Sequence, residues 1–147
     1  MSGKYVLKSC TFNDWSFIKN LRYCKENIEN FVNQEIPTDR EQKKYLKKHI
    51  DDYWICFIRR RWSNEKGFLD FPVGFIGIID GDVRLAVHPD HKGKGVGEFM
   101  VKSLLEMEEK FSAKVKITNE ASLKLFEKCG FKTKYYVLEK DDGNKDT

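Results

Sequence analysis

The chain has 147 residues, 40% of them apolar and 14% aromatic, the length and bulk of one ordinary domain with one core. Its 27 basic and 23 acidic side chains leave a formal charge of +4 spread along the sequence, too mild to imply nucleic acid but favourable to an anionic small molecule. Cys10, Cys24, Cys56 and Cys129 are far apart and contain no C-x-x-C pair, which excludes the spacing of a zinc site or a disulfide-stapled secreted domain.

Residues 5–10 read as an opening strand, and Asn13 offers a cap for a first helix on which Trp15, Ile18, Leu21 and Arg22 recur at helical spacing. Residues 27–37 read as a loop. Thr38 with Glu41 three residues later spells a capping box, so a second helix should start near Asp39 and carry Tyr45, Leu46, His49 and Ile50 on one face. Residues 53–60 and 73–80 are rich in aromatic and β-branched side chains and flank a polar stretch with Ser63, Asn64 and Gly67, the signature of a hairpin. Gly81 turns the chain into a further strand at 82–87. Val101, Leu104, Leu105 and Phe111 then mark a third helix of about four turns.

A short strand is expected at 115–118, and a fourth helix capped by Asn119 and ended by Gly130. A last strand should span 131–139, before a polar, frayed tail at 141–147. No repeat or linker interrupts this order, so residues 1–140 are expected to form a single α/β domain, a mixed sheet flanked by about four helices. The apolar run at 71–79 is broken by Pro72 and two glycines and is far short of the roughly 20 residues that cross a bilayer. Residues 1–4 show no apolar signal region. Free thiols in a reducing, cytoplasmic setting are therefore expected.

The stretch Val87-His88-Pro89-Asp90-His91-Lys92-Gly93-Lys94-Gly95-Val96-Gly97 follows a strand and opens an amphipathic helix. Glycines there let the backbone take open or left-handed geometry, so that several N–H groups can converge on one anion at the positive end of the helix. By spacing alone the same glycines also suit a plain flexible turn. Neither the Walker pattern nor the dinucleotide fingerprint is spelled.

These residues resemble the signature of the GCN5-related N-acetyltransferases, Q/R-x-x-G-x-G/A after a strand ending in V-x-P. The second family block is matched by the run from Asn119 through Ala121, Leu125 and Phe126 to Gly130 and Phe131, similar to N-x-x-A-x-x-L-[YF]-x-x-x-G-F. The resemblance covers residues 73 to about 138, whereas the amino-terminal half is similar only in layout. It implies a partly splayed sheet with acetyl-coenzyme A as cosubstrate and no metal. Backbone groups of Leu85, Ala86 and Val87 would meet the pantetheine arm, and the amides from Lys92 through Gly93, Lys94, Gly95 and Val96 to Gly97 would hold the pyrophosphate. Asn119 would hydrogen-bond the pantetheine, and Phe126 would pack near the thiol.

Lys92 stands where the family prefers Gln or Arg, and Phe126 where many members place a proton-donating tyrosine. Water, departure as thiolate, or a group such as Cys129 or Tyr135 would then serve the leaving sulfur. The chain after Gly130 is short for the family's closing pair of strands. Asp80, Asp82 and Glu35 are the candidate bases, although carboxylates beside turns are also ordinary surface residues. His88 and His91 give two possible metal ligands without a third and read better as turn residues.

The acceptor pocket in such folds is built by the first two helices and the hairpin loop, here offering Trp15, Tyr23, Phe31, Gln34, Glu35, Tyr53, Trp62 and Phe68. The expected function is transfer of an acetyl group to a primary amine of a small molecule, an amino sugar or a peptide. The rival is a noncatalytic acyl-coenzyme A sensor or partner subunit. The basic run Arg59-Arg60-Arg61-Trp62 reads as a solvated hairpin tip rather than a nucleic-acid stripe, and a monomer or homodimer is expected.

Overall fold

The computed structural model describes residues 4–31, 33–61 and 67–141. Four antiparallel strands lie in the order of the chain: β1 (Tyr5–Ser9), β2 (Tyr53–Arg61), β3 (Phe68–Ile79) and β4 (Asp82–Val87). Among the described residues five α-helices surround them: α1 (Trp15–Arg22), the single turn α2 (Lys25–Ile28), α3 (Asp39–His49), α4 (Val96–Glu106) and α5 (Glu120–Lys128).

The sheet is apolar on both faces because both are covered. Cys56, Ile58, Val73, Ile76 and Val83 pack against Val96, Met100, Val101 and Leu104 of α4 and Phe126 of α5. On the other face Tyr53, Ile55, Phe75, Ile79 and Ala86 meet Ile18 and Leu21 of α1 and Leu46 of α3. Strict alternation would put Val73 with Phe75, on the α1 side. The register slips between Cys56↔Gly74 and Phe57↔Pro72, so Val73 is an extra residue and turns to the α4 side. Pro72, which has no N–H to give a ladder, sits at that bulge.

One row across the sheet matters later. Tyr53 of β2 is paired with Gly77 of β3, and Gly77 with Arg84 of β4. The Tyr53 ring lies over Gly77, where an added Cβ would stand 2.5 Å from two ring carbons. The phenol, 2% exposed, is 2.8 Å from the hydroxyl of Tyr45 on α3.

The capping box at Thr38 and Glu41 forms as the sequence predicts, with Thr38 N–H donating to Glu41 Oε1 at 3.0 Å and Glu41 N–H to Thr38 Oγ1 at 3.2 Å. The entry to α1 differs. Thr11, not Asn13, opens the turn, through a box with Asp14 whose Oδ2 accepts from Thr11 N–H at 2.8 Å. The expected loop at 27–37 begins inside α2, which Cys24 starts by accepting the Asn27 and Ile28 N–H groups. β3 starts at Phe68, five places before the expected strand, because Leu69 and Asp70 continue the pairing with Arg60 and Arg59. Arg59 is thereby held in a two-pronged ion pair with Asp70 (2.9 Å for each contact), which Lys8 joins at 2.9 Å. Ser63, Asn64 and Trp62 lie outside the described residues.

The helix expected to include Phe111 stops at Glu106. Glu108 turns left-handed at φ 63° and Phe111 packs instead against the ring of Phe131. The strands expected at 115–118 and 131–139 are not formed; the only parallel link among the described residues is the bridge between Asp82 and Ser112. A strand exists through its ladder. Residues 131–141 have none, and Tyr135, Tyr136, Val137 and Leu138 are 86%, 86%, 72% and 91% exposed. No helix among the described residues is long and apolar enough to cross a membrane.

Candidate functional site

The bridge at Asp82 and Ser112 opens the site. Val83 N–H donates to Ser112 C=O at 2.8 Å, while His88 N–H at the other end of β4 points to β3 and Val73 C=O. In an antiparallel strand these two bonds fix the parity: Val83, Leu85 and Val87 direct their backbone groups away from β3. Beyond Ser112 no strand follows on that side among the described residues, so the sheet gapes beside Leu85 and Val87. The Val87 carbonyl accepts from Asn27 Nδ2 at 3.2 Å, and the same Nδ2 lies 3.0 Å from Leu21 C=O. Leu85 has no hydrogen-bond partner on the gaping side among the described residues.

After β4 the chain makes a single 3-10 turn, Pro89–His91, in which His88 Nδ1 accepts the Asp90 N–H at 3.1 Å. The glycine-rich turn follows, with φ 76° at Gly93 and φ 85° at Gly95, the latter the N-cap of α4. Only glycine adopts such angles readily. The N–H groups of Gly93, Lys94, Gly95, Val96 and Gly97 have no hydrogen-bond partner among the described residues. Five free donors at the positive end of an eleven-residue helix are the chemistry that binds a phosphate chain. The turn is anchored where it does not face ligand: Tyr5 Oη donates to Lys94 C=O at 3.0 Å, and Val96, Met100, Val101 and Leu104 of α4 are at most 1% exposed.

The turn, the open edge of β4 and α5 enclose a cleft of about 650 Å³. It brings together Leu85, Ala86, Val87, Lys92, Gly93, Gly95, Val96, Gly97, Asn119 and Phe126, every cofactor residue expected from the sequence except Lys94. Asn119 caps α5, accepting Ser122 N–H on Oδ1 at 3.1 Å and donating from Nδ2 to Ser122 Oγ at 3.0 Å. Gly97 lets α4 approach α5, since a Cβ there would stand 3.0 Å from Leu125. The end of α5 follows the sequence expectation: Gly130 is left-handed at φ 94°, and Gly130 and Phe131 N–H groups bond Glu127 and Phe126 carbonyls. Phe126 is 6% exposed and edge-on to Phe131.

His91 also lines the cleft; burial first, then the Lys94 and His88 charges, holds its imidazole below the ordinary 6.5. Its Nδ1 is buried without a partner among the described residues. Among the described residues no three His, Cys, Asp or Glu side chains group as a metal site there. Lys92 lines the cleft and donates from Nζ to Glu26 C=O at 3.2 Å, and Lys116 Nζ donates to Glu29 C=O at 2.8 Å.

A second cavity of about 310 Å³ adjoins the cleft and shares Arg22, Asn33 and Arg84 with it. Tyr23, Glu35, Glu41 and Tyr45 add to its wall. The three candidate bases are thus separated. Glu35 lines the second cavity. Asp82 lines the cleft, with Oδ1 buried and unpartnered among the described residues. Asp80, at φ 53° beside Gly81 at φ 79°, forms the two-residue turn between β3 and β4 and lines neither.

Of the residues expected around the acceptor, Tyr23 lines the second cavity and Phe31 the cleft, whereas Trp15 and Tyr53 belong to the core under α1 and α3. Gln34 is turned to the Glu29 and Phe31 carbonyls, and Phe68 lies under Arg59 far along β3. Cys129 packs into the core beside α4, and Tyr135 stays in solvent. Sequence reasoning missed Asn27 and Arg84 and read Arg22 only as a helix position. A signal existed for Arg22, which lies on the same seam as Ile18 and Leu21.

A sheet that splays beside a glycine-rich helix N-terminus is the arrangement the sequence resemblance implies for a coenzyme A-dependent acyltransferase. The model of the Acetyltransferase (GNAT) family matches residues 20–131, and the chain belongs to that family. It is 21% identical over 152 residues to the spermidine N(1)-acetyltransferase of Vibrio cholerae serotype O1 (strain ATCC 39315 / El Tor Inaba N16961), covering 95% of this chain and 85% of that one. The crystal structure of spermidine N-acetyltransferase from Vibrio cholerae in complex with CoA and spermine superposes with a TM-score of 0.75 at 18% identity, over 95% of this chain and 87% of that one. A domain from Methanocaldococcus jannaschii DSM 2661 gives a TM-score of 0.73 at 22% identity, over 89% and 90% of the two chains. The ribosomal-protein-alanine N-acetyltransferase from Brucella melitensis gives 0.62 at 18%, over 86% and 84%. These structural likenesses establish the shared fold.

Proposed function

We propose that this chain transfers the acetyl group of acetyl-coenzyme A to a primary amine of a small molecule, an amino sugar or a peptide, by direct attack. The observation that carries the reading is the run of five unpaired N–H groups from Gly93 to Gly97 beside the open edge of β4. Bound acetyl-coenzyme A supplies an activated thioester. The glycine-turn amides and Lys92 would hold its phosphates, Leu85, Val87 and Asn119 its amide-bearing arm, and Phe126 would close the cleft under the sulfur. The acceptor would enter through the second cavity, whose shared wall at Arg22 and Arg84 joins the two spaces.

Holding amine and thioester side by side supplies much of the rate. A carbon–nitrogen bond forms as the carbon–sulfur bond breaks, and the proton leaving the amine needs a base. Glu35 and Asp82 are the carboxylates on the path, Glu35 on the acceptor side and Asp82 in the cleft. Phe126 has no proton to give, so the sulfur departs as thiolate and is protonated from solvent.

The test is Gly95→Asp. An added Cβ meets nothing within 4 Å, and Asp bears the left-handed φ of 85° at less cost than most residues, so the fold should survive with some loss of stability. Its carboxylate would face the phosphates, and coenzyme A affinity by calorimetry should fall by roughly a hundredfold. Unchanged affinity in a variant with the wild-type circular dichroism spectrum would remove the proposed cradle. Tight coenzyme A binding by the wild type, without thiol release on a broad amine panel, would favour a noncatalytic sensor.

A further inference from the structure

We infer that the amine acceptor carries an anionic group, a phosphate or a carboxylate, bound by Arg22 and Arg84. The inference rests on the acetyltransferase reading above and narrows its substrate class.

Arg22 closes α1 and Arg84 is central in β4, yet both line the second cavity and its passage to the cleft. Arg84 is on the same face of β4 as Ala86, which packs toward α1, so it faces the acceptor side rather than α4. Neither guanidinium makes an ion pair or hydrogen bond among the described residues, and Arg22 Nε is buried without a partner. Arg22 is held flat instead, its guanidinium carbon 4.7 Å from the centre of the Phe31 ring and 5.4 Å from that of Tyr23. Stacking fixes the plane of the fork and leaves its edge free for a two-oxygen anion.

Among the described residues no carboxylate bonds either guanidinium, although Asp82 lines the cleft beside them. Of the two carboxylates lining the second cavity, Glu41 is taken by the Thr38 N–H, which leaves Glu35. The buried Tyr53 phenol stays protonated, because burial and Tyr45 outweigh the two guanidiniums. Arg84, though it lines the cleft, is also badly placed for the cofactor phosphates. Arg84 precedes Val87 by three residues, roughly 10 Å along the strand, on the side away from the glycine turn. Two guanidiniums without an ion pair, with Glu35 on the acceptor side and Asp82 in the cleft, match an amine that also bears a negative group: the arginines take the anion and a carboxylate faces the ammonium. A polyamine such as the spermine bound by the Vibrio cholerae enzyme would meet repulsion here.

The test compares kcat/KM, by thiol release, for matched amines: glucosamine 6-phosphate against glucosamine, β-alanine against propylamine, and spermidine. The anionic member of at least one pair should be preferred by roughly tenfold or more, and the pair that shows it separates phosphate from carboxylate. Arg22→Gln and Arg84→Gln should each collapse that ratio toward one, with Arg22→Lys restoring part of it. No preference for the anionic member in both pairs, or better use of spermidine than of either anionic amine, by the wild type would overturn the inference and leave the acetyltransferase reading standing. If no amine is turned over, that reading fails instead. Calorimetric binding of glucosamine 6-phosphate and β-alanine to the coenzyme A-loaded protein, set against their neutral partners, then decides: a tenfold preference in either pair upholds the anion site, and no preference in both overturns it.

Discussion

Replacing Gly77 with alanine should loosen the protein and blunt the acceptor site together. The new methyl would stand 2.5 Å from two carbons of the Tyr53 ring, far inside contact distance, and that ring is only 2% exposed. Overpacking of this kind costs about 1–3 kcal/mol. Displacing the ring also strains the 2.8 Å bond between the Tyr53 and Tyr45 hydroxyls, about 1 kcal/mol more. At about 3 °C per kcal/mol for a domain of this size, a loss of about 3 kcal/mol lowers Tm by about 9 °C. Thermal unfolding followed by circular dichroism measures it, with Gly67→Ala, where a Cβ meets nothing, as the silent comparison. In a Tyr53→Leu background the cost of Gly77→Ala should shrink to below about 1 kcal/mol. A Gly77→Ala protein melting within about 2 °C of wild type would refute the packing argument. Because Gly77 pairs with Arg84 as well, the same substitution should raise the acceptor KM more than the coenzyme A Kd.

Asp70→Asn removes the partner of Arg59 and Lys8. Those two cations hold the Asp70 carboxyl well below the usual carboxylate range, so its contribution is complete above the ordinary 3.8 and is lost as pH falls below it. The variant should melt about 3 °C lower at pH 7, for a partly exposed network worth about 1 kcal/mol, and the gap should close in acid. Asn119→Ala should cost about 1 kcal/mol through the lost cap of α5 and also weaken coenzyme A binding. Asn119→Ser should recover the melting temperature but not the affinity, which separates cap from contact. Burial pushes the Cys56 thiol up to about 12 and, with Asp14 adding, that of Cys10 up to about 11, so a thiol reagent at pH 8 should leave both unmodified in the native protein. Labelling of either within minutes would contradict the packing of the sheet.

The parts of the site that were legible are those whose physics is local. A left-handed glycine, a cap three residues from its acceptor and a helix stop at Gly130 are each decided within one turn of chain, and Gly95, Asn119 and Thr38 stand as read. The pairing of Arg22 with Arg84 depends on the register of β4 against β3 and on how α1 lies over the sheet. Sixty-odd residues of intervening chain carry no mark of it. Val73 shows the same limit, since the bulge that turns it over comes from a slip between two strands. Asn27 gave no sign of spanning the Leu21 and Val87 carbonyls, because a lone Asn after an acidic residue reads as a turn. The closing strand at 131–139 had the right composition, but propensity alone cannot provide a neighbour to pair with.

The contact between the Tyr5 hydroxyl and the Lys94 carbonyl ties the glycine turn to the outermost strand of the sheet. An edge strand is bonded on one side only and is among the first elements to open when a domain breathes. Each such opening would free the cradle's backbone to wander, so affinity for the phosphate chain inherits the local stability of a strand that never touches it. Ligand held in the turn would, by the same linkage, fasten the beginning of the chain in place.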